Sequence, residues 1–485
     1  MKLEELIGEA EVQRLLGEGD VDVAGLAYDS GRVEAGSLFF CVVGERADGH
    51  DFAPAAIEAG ASALVVGREL DLDVPQVVVG DPRAAMAPIA ARFWRDPSAE
   101  LTVAGVTGTN GKTTTAFLLR EILESVGTQC GLLGTVGQIV GGVGEVVERT
   151  TPEAIELQAT LRRMLDHGDR ACVMEVSSHA LTQHRSDSIR FAAAIFTNLT
   201  QDHLDYHGDM EGYFQSKRRL FSSGPGVAVV NVDDEYGRRL REEFDCLTYS
   251  AEGRDADLVA RDVSLGTGGS DFTVIADDDQ ATVRTALPGH FNVANAMAAI
   301  AAATGLGVGL EEAAAGLAGA SPPPGRFEPI DEGQPFTVVV DYAHTPDSLE
   351  NVLRAARLLT DESIICVFGA GGDRDREKRP KMGRAGAELS DLTIVTSDNP
   401  RSEDPDEIVS EVVAGAEGRG AVEAEPNRRQ AIALALARAQ HGDTVVIAGK
   451  GHEQGQEFEQ GRKIPFDDRE VAREELRRLS DRGWS

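Results

Sequence analysis

Apolar residues in this chain come in short unbroken runs, and between the runs they return every three or four positions. The runs fall at 37–43, 63–66 and 74–79, then at 103–106, 171–176, 191–197 and 227–232, and last at 336–341, 364–369, 392–396 and 444–448. Runs this short, with little polar alternation, suit strands covered on both faces. Helical spacing marks 53–59 (closed by Gly60), 114–127, 213–221, 347–359, 380–389, 405–416 and 428–440. Strand and helix in alternation predict an α/β fold with mostly parallel sheets. Two segments depart from it. Short alternating strands and Asp/Gly turns at 246–287 predict a small antiparallel sheet, and 287–295 opens an alanine-rich helix ending near Gly305. A helix ending at 92–97 and the Pro322-Pro-Pro-Gly325 break divide the chain into three expected domains. These are a small α/β domain at 1–98, a central parallel-sheet domain at 99–325, and a doubly wound Rossmann-like domain at 326–485.

The central domain opens on Gly105-Val-Thr-Gly108-Thr-Asn-Gly111-Lys112-Thr-Thr114. Strand, glycine-rich loop and helix in this order make a phosphate cradle, with backbone N–H groups and a helix N-terminus facing the anion. Lys112 would reach the outer phosphates, and Thr113 or Thr114 would offer a hydroxyl to Mg²⁺. Val106 stands where the common phosphate-loop pattern has glycine. A nucleotide triphosphate site is expected here.

Ligands of open α/β sheets gather where strands end. Glu175-Val-Ser-Ser-His179 follows one central run, and Asn198-Leu-Thr-Gln-Asp202-His203-Leu-Asp205 follows the next. A carboxylate and a histidine at such ends could hold Mg²⁺, although singly each histidine reads as structural. Lys217, on the helix at 213–221, reads as a solvated charge. Asn292 and Asn295 open the alanine-rich helix; capping accounts for one and leaves the other for an adenine edge. Four strand ends of the last domain carry Asp341-Tyr-Ala-His344, Gly371-Gly-Asp-Arg-Asp-Arg-Glu-Lys-Arg-Pro380, Ser397-Asp-Asn-Pro-Arg401 and Gly449-Lys-Gly-His-Glu453. Their charges imply a second pocket, for a ligand bearing both ammonium and carboxylate. Two first-domain loops, 29–33 and 44–51, are rich in polar groups that solvated turns alone would explain.

Charge narrows the partners. Lys+Arg 47 against Asp+Glu 81 leaves −34, which opposes nucleic acid and anionic membranes. Lysine occurs only at 2, 112, 217, 378, 381, 450 and 463. So acidic a surface suits a solvent rich in salt, where screening relieves self-repulsion; a melting temperature that fails to rise with KCl would exclude this. Five scattered cysteines (41, 130, 172, 246, 366) without a C-x-x-C pair read as reduced thiols. With neither a leader nor a transmembrane run, a cytoplasmic, monomeric protein is expected.

Thr107-Gly-Thr-Asn-Gly-Lys-Thr113, Thr150-Thr-Pro-Glu153, Glu175-Val-Ser-Ser-His179, Asn198 with Asp202-His-Leu-Asp205, Gly325-Arg326, Asp341-Tyr-Ala-His-Thr-Pro-Asp347, Lys378-Arg-Pro380 and Gly449-Lys-Gly-His-Glu453 together resemble the Mur ligases. These are ATP-dependent amide ligases of peptidoglycan assembly, and the resemblance covers essentially the whole chain. It implies a uridine nucleotide sugar in the first domain, ATP in the second and an amino acid in the third. Ser30 would contact the uridine diphosphate; Thr151, Pro152, Ser177, Gln183 and Arg185 would hold the muramoyl-peptide. Gly108, Thr109, Asn110, Gly111, Lys112, Thr113 and Thr114 would cradle the phosphates, with Asn295, Arg326 and Asp341 toward adenine and ribose. Thr113, Glu175, His203 and a carbamylated Lys217 would hold Mg²⁺, and Lys112, Glu175, His203 and Lys217 would carry the catalysis. Asp398-Asn399-Pro400-Arg401 matches members adding meso-diaminopimelate to UDP-MurNAc-L-Ala-D-Glu, with Arg379, Gly449 and Glu453 completing that pocket. The first-domain loop departs from the family in having Gly31 directly after Ser30, and Ala370 replaces a common cysteine. Three rivals remain: an L-lysine-adding ligase, one acting on another cell-wall or folate-type substrate, and an ATP-binding switch without amine-dependent turnover.

Overall fold

A computed structural model describes residues 1–481 other than Glu9, Glu45, Arg46, Glu148, Thr267, Gly268, Asp278 and Asp361. Glu45 and Arg46 of the polar loop 44–51, three residues of 246–287 and the tail 482–485 therefore lie outside the described residues. The chain forms two compact units: 1–107 with 127–195 and 216–228, and 108–126 with 196–215 and 229–485.

In the first unit, β1 (Val12–Leu16), β2 (Gly25–Ala27), β3 (Ser37–Phe40), β4 (Ala63–Val66) and β5 (Gln76–Val79) pair in the order β1-β5-β4-β3-β2. All but β1 run parallel. Because side chains alternate across a strand, Leu38, Phe40, Val65 and Val77 pack on helix Pro82–Phe93. Phe39, Leu64 and Val66 face the other way, against helix Ala53–Glu58. The same unit holds β6 (Thr102–Thr107), β7 (Cys130–Leu133), β8 (Gln138–Val140), β9 (Val143–Glu145), β10 (Ala171–Glu175) and most of β11 (Phe191–Phe196), ordered β11-β6-β10-β7-β8-β9. A side chain at Gly105 on β6 would meet the Phe191 ring at 2.6 Å, so glycine lets the strands pack.

In the second unit, most of β12 (Val227–Asn231), β13 (Cys246–Ser250), β14 (Leu258–Gly266), β15 (Gly269–Ala276) and β16 (Asp279–Thr285) follow one another in a single sheet. The last three are antiparallel, as expected, but β13 pairs with β14 in parallel. The 246–287 region is thus a continuation of a larger sheet, not a separate small one.

The second unit's other sheet contains β17 (Glu328–Pro329), β18 (Thr337–Asp341), β19 (Ile364–Phe368), β20 (Leu392–Val395), β21 (Ala421–Ala424) and β22 (Thr444–Ala448), in the order β17-β18-β22-β19-β20-β21. Five strands are parallel and β17 is an antiparallel edge. Val339, Cys366 and Val446 pack on helices Pro346–Leu358, Lys378–Leu389 and Pro405–Ala416. Val338, Val340, Val367 and Val445 pack on helices Arg428–Arg438 and Asp468–Ser480. Both faces are covered, so this is the expected doubly wound sheet, and the strands read as continuous apolar runs for that reason. β23 (Gly455–Glu457) and β24 (Lys463–Pro465) form a hairpin after it. No helix among the described residues is long and apolar enough to cross a membrane.

Candidate active site

The phosphate loop sits as its glycines require. Gly108 (φ +152°) and Gly111 (φ +86°) adopt conformations that side chains disfavour. A Cβ on either would overlap Thr197 Oγ1 or Asn295 Oδ1, respectively. Val106 lies inside β6, its carbonyl accepting from Val176 N at 2.8 Å, which is why glycine is dispensable there. Thr197 and Asn198 brace the loop: Thr197 Oγ1 donates to Asn110 O (2.6 Å), and Asn110 N donates to Asn198 Oδ1 (2.9 Å). Lys112 Nζ donates to Gly108 O (2.9 Å) and Thr109 O (2.8 Å), which places the ammonium across the loop at the start of helix Lys112–Ser125. Thr113 Oγ1 accepts from Arg326 Nη2 at 2.9 Å, and Thr114 is buried beside it. The Arg326 guanidinium lies 4.3 Å from the Tyr342 ring centroid.

Neither asparagine caps the alanine-rich helix His290–Gly305, which corrects the capping reading. Gly289 stands at its start and supplies no side chain. Asn292 Nδ2 instead donates to Pro288 O (2.8 Å), and Asn295 Nδ2 to Asn292 Oδ1 (3.1 Å), leaving Asn295 against the loop at Gly111. Both Asp341 carboxylate oxygens accept from backbone, Phe327 N and Ala343 N, each at 2.7 Å. Burial pushes this carboxyl up in pKa, against the pull of Arg326.

In the first unit, Glu175 ends β10 almost fully buried, accepting from Thr135 N (2.7 Å) and Thr135 Oγ1 (3.1 Å). Thr151 Oγ1 donates to Glu175 O (2.9 Å) and accepts from Ser177 N (3.2 Å), so the Thr150–Glu153 turn is tied to this strand end. Arg185 continues the cluster with Thr151 O (2.9 Å) and Gln183 Oε1 (2.6 Å). Pro152 lies between Thr151 and the helix Ala154–Asp166. Ser30 is part of a one-turn helix, Ser30–Arg32, capped by Asp29 and half-exposed. Lys217 is 2% exposed, which overturns the reading of a solvated charge. Its neighbour Ser216 donates to Ser178 O (2.8 Å), drawing this face of helix Met210–Ser222 inward.

In the second unit, His203 adopts φ +53° with Nε2 3.3 Å from Asp202 Oδ2. His344 Nε2 and Lys378 Nζ approach the same carboxylate at 3.8 and 3.9 Å. Burial would raise the Asp202 pKa, but the His344 hydrogen bond and the His203 and Lys378 charges hold it well below the carboxylate range. Among the described residues no three His, Cys, Asp or Glu side chains converge as a metal site.

Asp202 and His203 also line a cavity of about 180 Å³ with Tyr342, His344, Arg374, Lys378, Asp398, Asn399, Arg401, Gly449 and Glu453. It lies at the strand ends where sequence placed a second pocket. Arg401 Nη1 donates to Gly372 O (2.7 Å) and Nε to Glu457 Oε2 (3.1 Å), so this arginine is braced and partly buried. Pro400 passes directly beneath Gly372, where a Cβ would overlap its carbonyl.

Arg379 is placed differently from expectation. Its guanidinium is fully buried outside the cavity lining, bonded to Glu403 (2.7 and 2.9 Å), Glu411 (2.8 Å) and Gly371 O (3.2 Å). Arg374, missed in the same charged run, lines the cavity instead. Arg379→Ala should therefore destabilise the fold by about 2 kcal/mol, since it removes a buried side chain that holds Gly371 and two carboxylates together, although Glu403 keeps Asp373 N and Glu411 keeps Arg376. Arg374→Ala should leave the melting temperature in place; equal melting temperatures for the two variants would refute the assignment.

Comparison with known proteins shows the family. Family models match residues 106–303 (Mur ligase middle domain), 325–451 (Mur ligase, glutamate ligase domain) and 22–94 (Mur ligase family, catalytic domain). A UDP-N-acetylmuramoyl-L-alanyl-D-glutamate--2,6-diaminopimelate ligase of Geobacillus thermodenitrificans is 45% identical, over 98% of this chain and 99% of its own. One of the same name from Streptomyces avermitilis is 46% identical over 95% and 93%. A solved structure bearing that name is 33% identical, covers 99% of each chain and has a TM-score of 0.70. With the phosphate loop, the Glu175 strand end and the Asp398–Arg401 segment all inside matched regions, the chain belongs to the Mur ligase family.

Proposed function

We propose that this protein is an ATP-dependent, ADP-forming amide ligase that adds meso-diaminopimelate to UDP-MurNAc-L-Ala-D-Glu in peptidoglycan precursor synthesis. The observation that carries the proposal is one cavity with Arg374 and Arg401 among its lining and Asp398 and Glu453 beside them, a donor and acceptor set for an amino acid's carboxylate and ammonium. The names of relatives near 45% identity support the same acceptor. Residues 1–98 would hold the nucleotide sugar through Ser30, 99–325 ATP, and 326–485 the acceptor. The protein would work as a monomer in the cytoplasm.

In this reading Gly108 to Thr114 take the phosphates, Asn295, Arg326 and Asp341 border the nucleoside, and Lys112 faces the γ-phosphate. Thr151, Pro152, Ser177, Gln183 and Arg185 orient the muramoyl-peptide so that its free carboxylate attacks the γ-phosphorus. ADP leaves and an acyl phosphate forms. The acceptor's amine, held by Asp398, Asn399, Arg401, Gly449 and Glu453, attacks the acyl carbon, loses a proton and expels phosphate. Arg379 acts from behind, bracing Gly371. The oxygens of Thr113 and Glu175 are the hard donors that Mg²⁺ takes, and His203 and a carbamylated Lys217 would complete its set. Bound there, Mg²⁺ would neutralise phosphate charge. A buried lysine amine gains from conversion to a metal-bound carbamate. Protein labelled with ¹³C-bicarbonate should accordingly show a carbamate carbon resonance that Lys217→Arg abolishes, and its absence with Mg²⁺ present would exclude the modification.

Phosphate release from ATP, with UDP-MurNAc-L-Ala-D-Glu and either diaminopimelate, L-lysine or no amine, tests the whole proposal alongside product mass. Release only with diaminopimelate and a matching tripeptide mass is expected. Release with lysine alone would reassign the acceptor, and release independent of any amine would favour a switch.

A further inference from the structure

Three ionisable side chains of the doubly wound sheet, Arg428, Asp468 and Lys450, are completely buried, and none lines the cavity or takes part in the chemistry above. Arg428 opens helix Arg428–Arg438 and grips Asp468 in a two-pronged pair, Nε to Oδ1 at 2.7 Å and Nη2 to Oδ2 at 2.6 Å. A buried pair of this type gives little net stability, because desolvation offsets the attraction and apolar residues of similar volume do as well. Its other contacts are more telling. Arg428 Nη2 donates to Ala448 O at 2.9 Å and Nη1 to Ser397 O at 3.4 Å. Ala448 is the last residue of β22, and Ser397 follows β20. These strands are not neighbours, for β19 runs between them. Their ends stand about 10 Å apart, two strand spacings, and the ladders to β19 reach Val395 and Ile447 but stop short of Ser397 and Ala448. The guanidinium spans the gap.

The residues that follow include cavity-lining ones: Asp398, Asn399 and Arg401 after Ser397, and Gly449 and Glu453 after Ala448. Lys450 forms a second bridge between the same two loops, donating to Asp398 Oδ1 (3.2 Å), Asn399 Oδ1 (2.8 Å) and Glu453 Oε2 (2.8 Å). Glu457 N also donates to Asn399 Oδ1 (3.0 Å), which turns the Asn399 amide nitrogen toward Glu453 Oε2 at 3.0 Å. Asp468, Arg428, Asp398, Lys450 and Glu453 thus form a series of alternating charge. Gly449 (φ +118°) fits into it: a Cβ there would lie 3.4 Å from Asp398 Oδ2 and 3.7 Å from Arg428 Nη2.

We propose that Arg428 and Asp468 are positioning residues that set the spacing of the two acceptor loops, and through it the selectivity for the incoming amino acid. The inference rests on the amino-acid-adding function proposed above. The test compares the unaltered chain with Arg428→Met/Asp468→Leu, which removes both charges together, and with Asp468→Asn. The double variant should fold with a similar melting temperature. Its KM for diaminopimelate should rise about 10- to 100-fold, the scale of a misplacement near 1 Å. Its KM for ATP, and kcat at saturating acceptor, should stay within about twofold, and its preference over lysine should fall. Asp468→Asn should shift the same KM in the same direction, by less, and decides the matter if the double variant does not fold. An unchanged acceptor KM, or an equal loss toward every substrate, overturns the proposal. Absence of amine-dependent turnover by the unaltered chain is a separate outcome: it refutes the function itself, and the proposal with it.

Discussion

Lys112→Ala is expected to lower amine-dependent phosphate release by about a thousandfold, the scale of losing one pre-set electrostatic contact to a transferring group. Lys112 is the first residue of its helix, and its ammonium is held over the loop by two carbonyls, Gly108 O and Thr109 O. Those carbonyls point the charge to where the loop's N–H groups would receive phosphate, before any nucleotide arrives. The charge then meets the negative charge that spreads over the γ-phosphate oxygens as the bond breaks. Alanine removes the charge and leaves the loop, since Thr197 and Asn198 brace its backbone independently. The melting temperature should therefore stay within about 2 °C, as for a substitution away from core packing. Lys112→Arg should recover little, because the planar guanidinium cannot sit on both carbonyls as a compact ammonium does. A coupled phosphate assay with saturating substrates, beside a melting curve, checks this. Activity within tenfold of the unaltered chain would mean that Lys112 is not the phosphate-facing charge.

Much of the fold was legible because parallel strands buried on both faces leave long apolar runs, and the helices between them have clean caps. Thr345 and Asn427, for instance, each begin a helix as sequence rules expect. The phosphate loop was legible for a related reason: glycine at 108 and 111 is demanded by positive φ, so the backbone need is written in residue type. Elements with little apolar surface were harder to see. Helix Asp468–Ser480 buries only three apolar residues, Val471, Ala472 and Leu476, in an otherwise charged sequence, and the β8–β9 hairpin is three residues to a strand. Among site residues, composition could not say which charges turn inward. Lys217 looks like any helix lysine until its neighbour Ser216 is seen bonded to Ser178. Arg374 and Arg379 lie in one charged run, yet one is on the loop before helix Lys378–Leu389 and the other on its buried first turn. Only the start of that helix separates a cavity-lining arginine from a structural one. The buried bridges made by Lys450 and Arg428 were invisible for the same reason, since their partners Asp398 and Asp468 are distant in sequence.

Arg401→Ala is expected to lower kcat/KM for diaminopimelate by about 10²- to 10³-fold while leaving that for lysine within about tenfold. Diaminopimelate and lysine share an amine and a chain; they differ in the distal carboxylate, which lysine lacks. Arg401 Nε and Nη1 are committed to Glu457 and Gly372, and among the described residues Nη2 has no hydrogen-bond partner. That leaves one prong of a braced guanidinium for the distal carboxylate, with Arg374 on the same cavity. A carboxylate entering here gains a charge-assisted bond without ordering a long side chain, because the protein has already ordered it. Lysine gains nothing from Arg401, so its rate should scarcely change when the guanidinium is removed. The backbone supplies a control. Arg401 holds φ +52°, a strained conformation for any side chain, so alanine neither adds nor relieves strain, whereas glycine would. A fall seen with both alanine and glycine therefore belongs to the guanidinium and not to the turn. Arg401→Lys should fall between, keeping the charge but losing the planar fork. The measurement is a competition: equimolar diaminopimelate and lysine in one reaction, with the ratio of tripeptide masses read directly. The unaltered chain should give almost only the diaminopimelate product, and Arg401→Ala a mixture. A mixture from the unaltered chain would show that Arg401 does not decide the acceptor, and the lysine-adding reading would then regain its place.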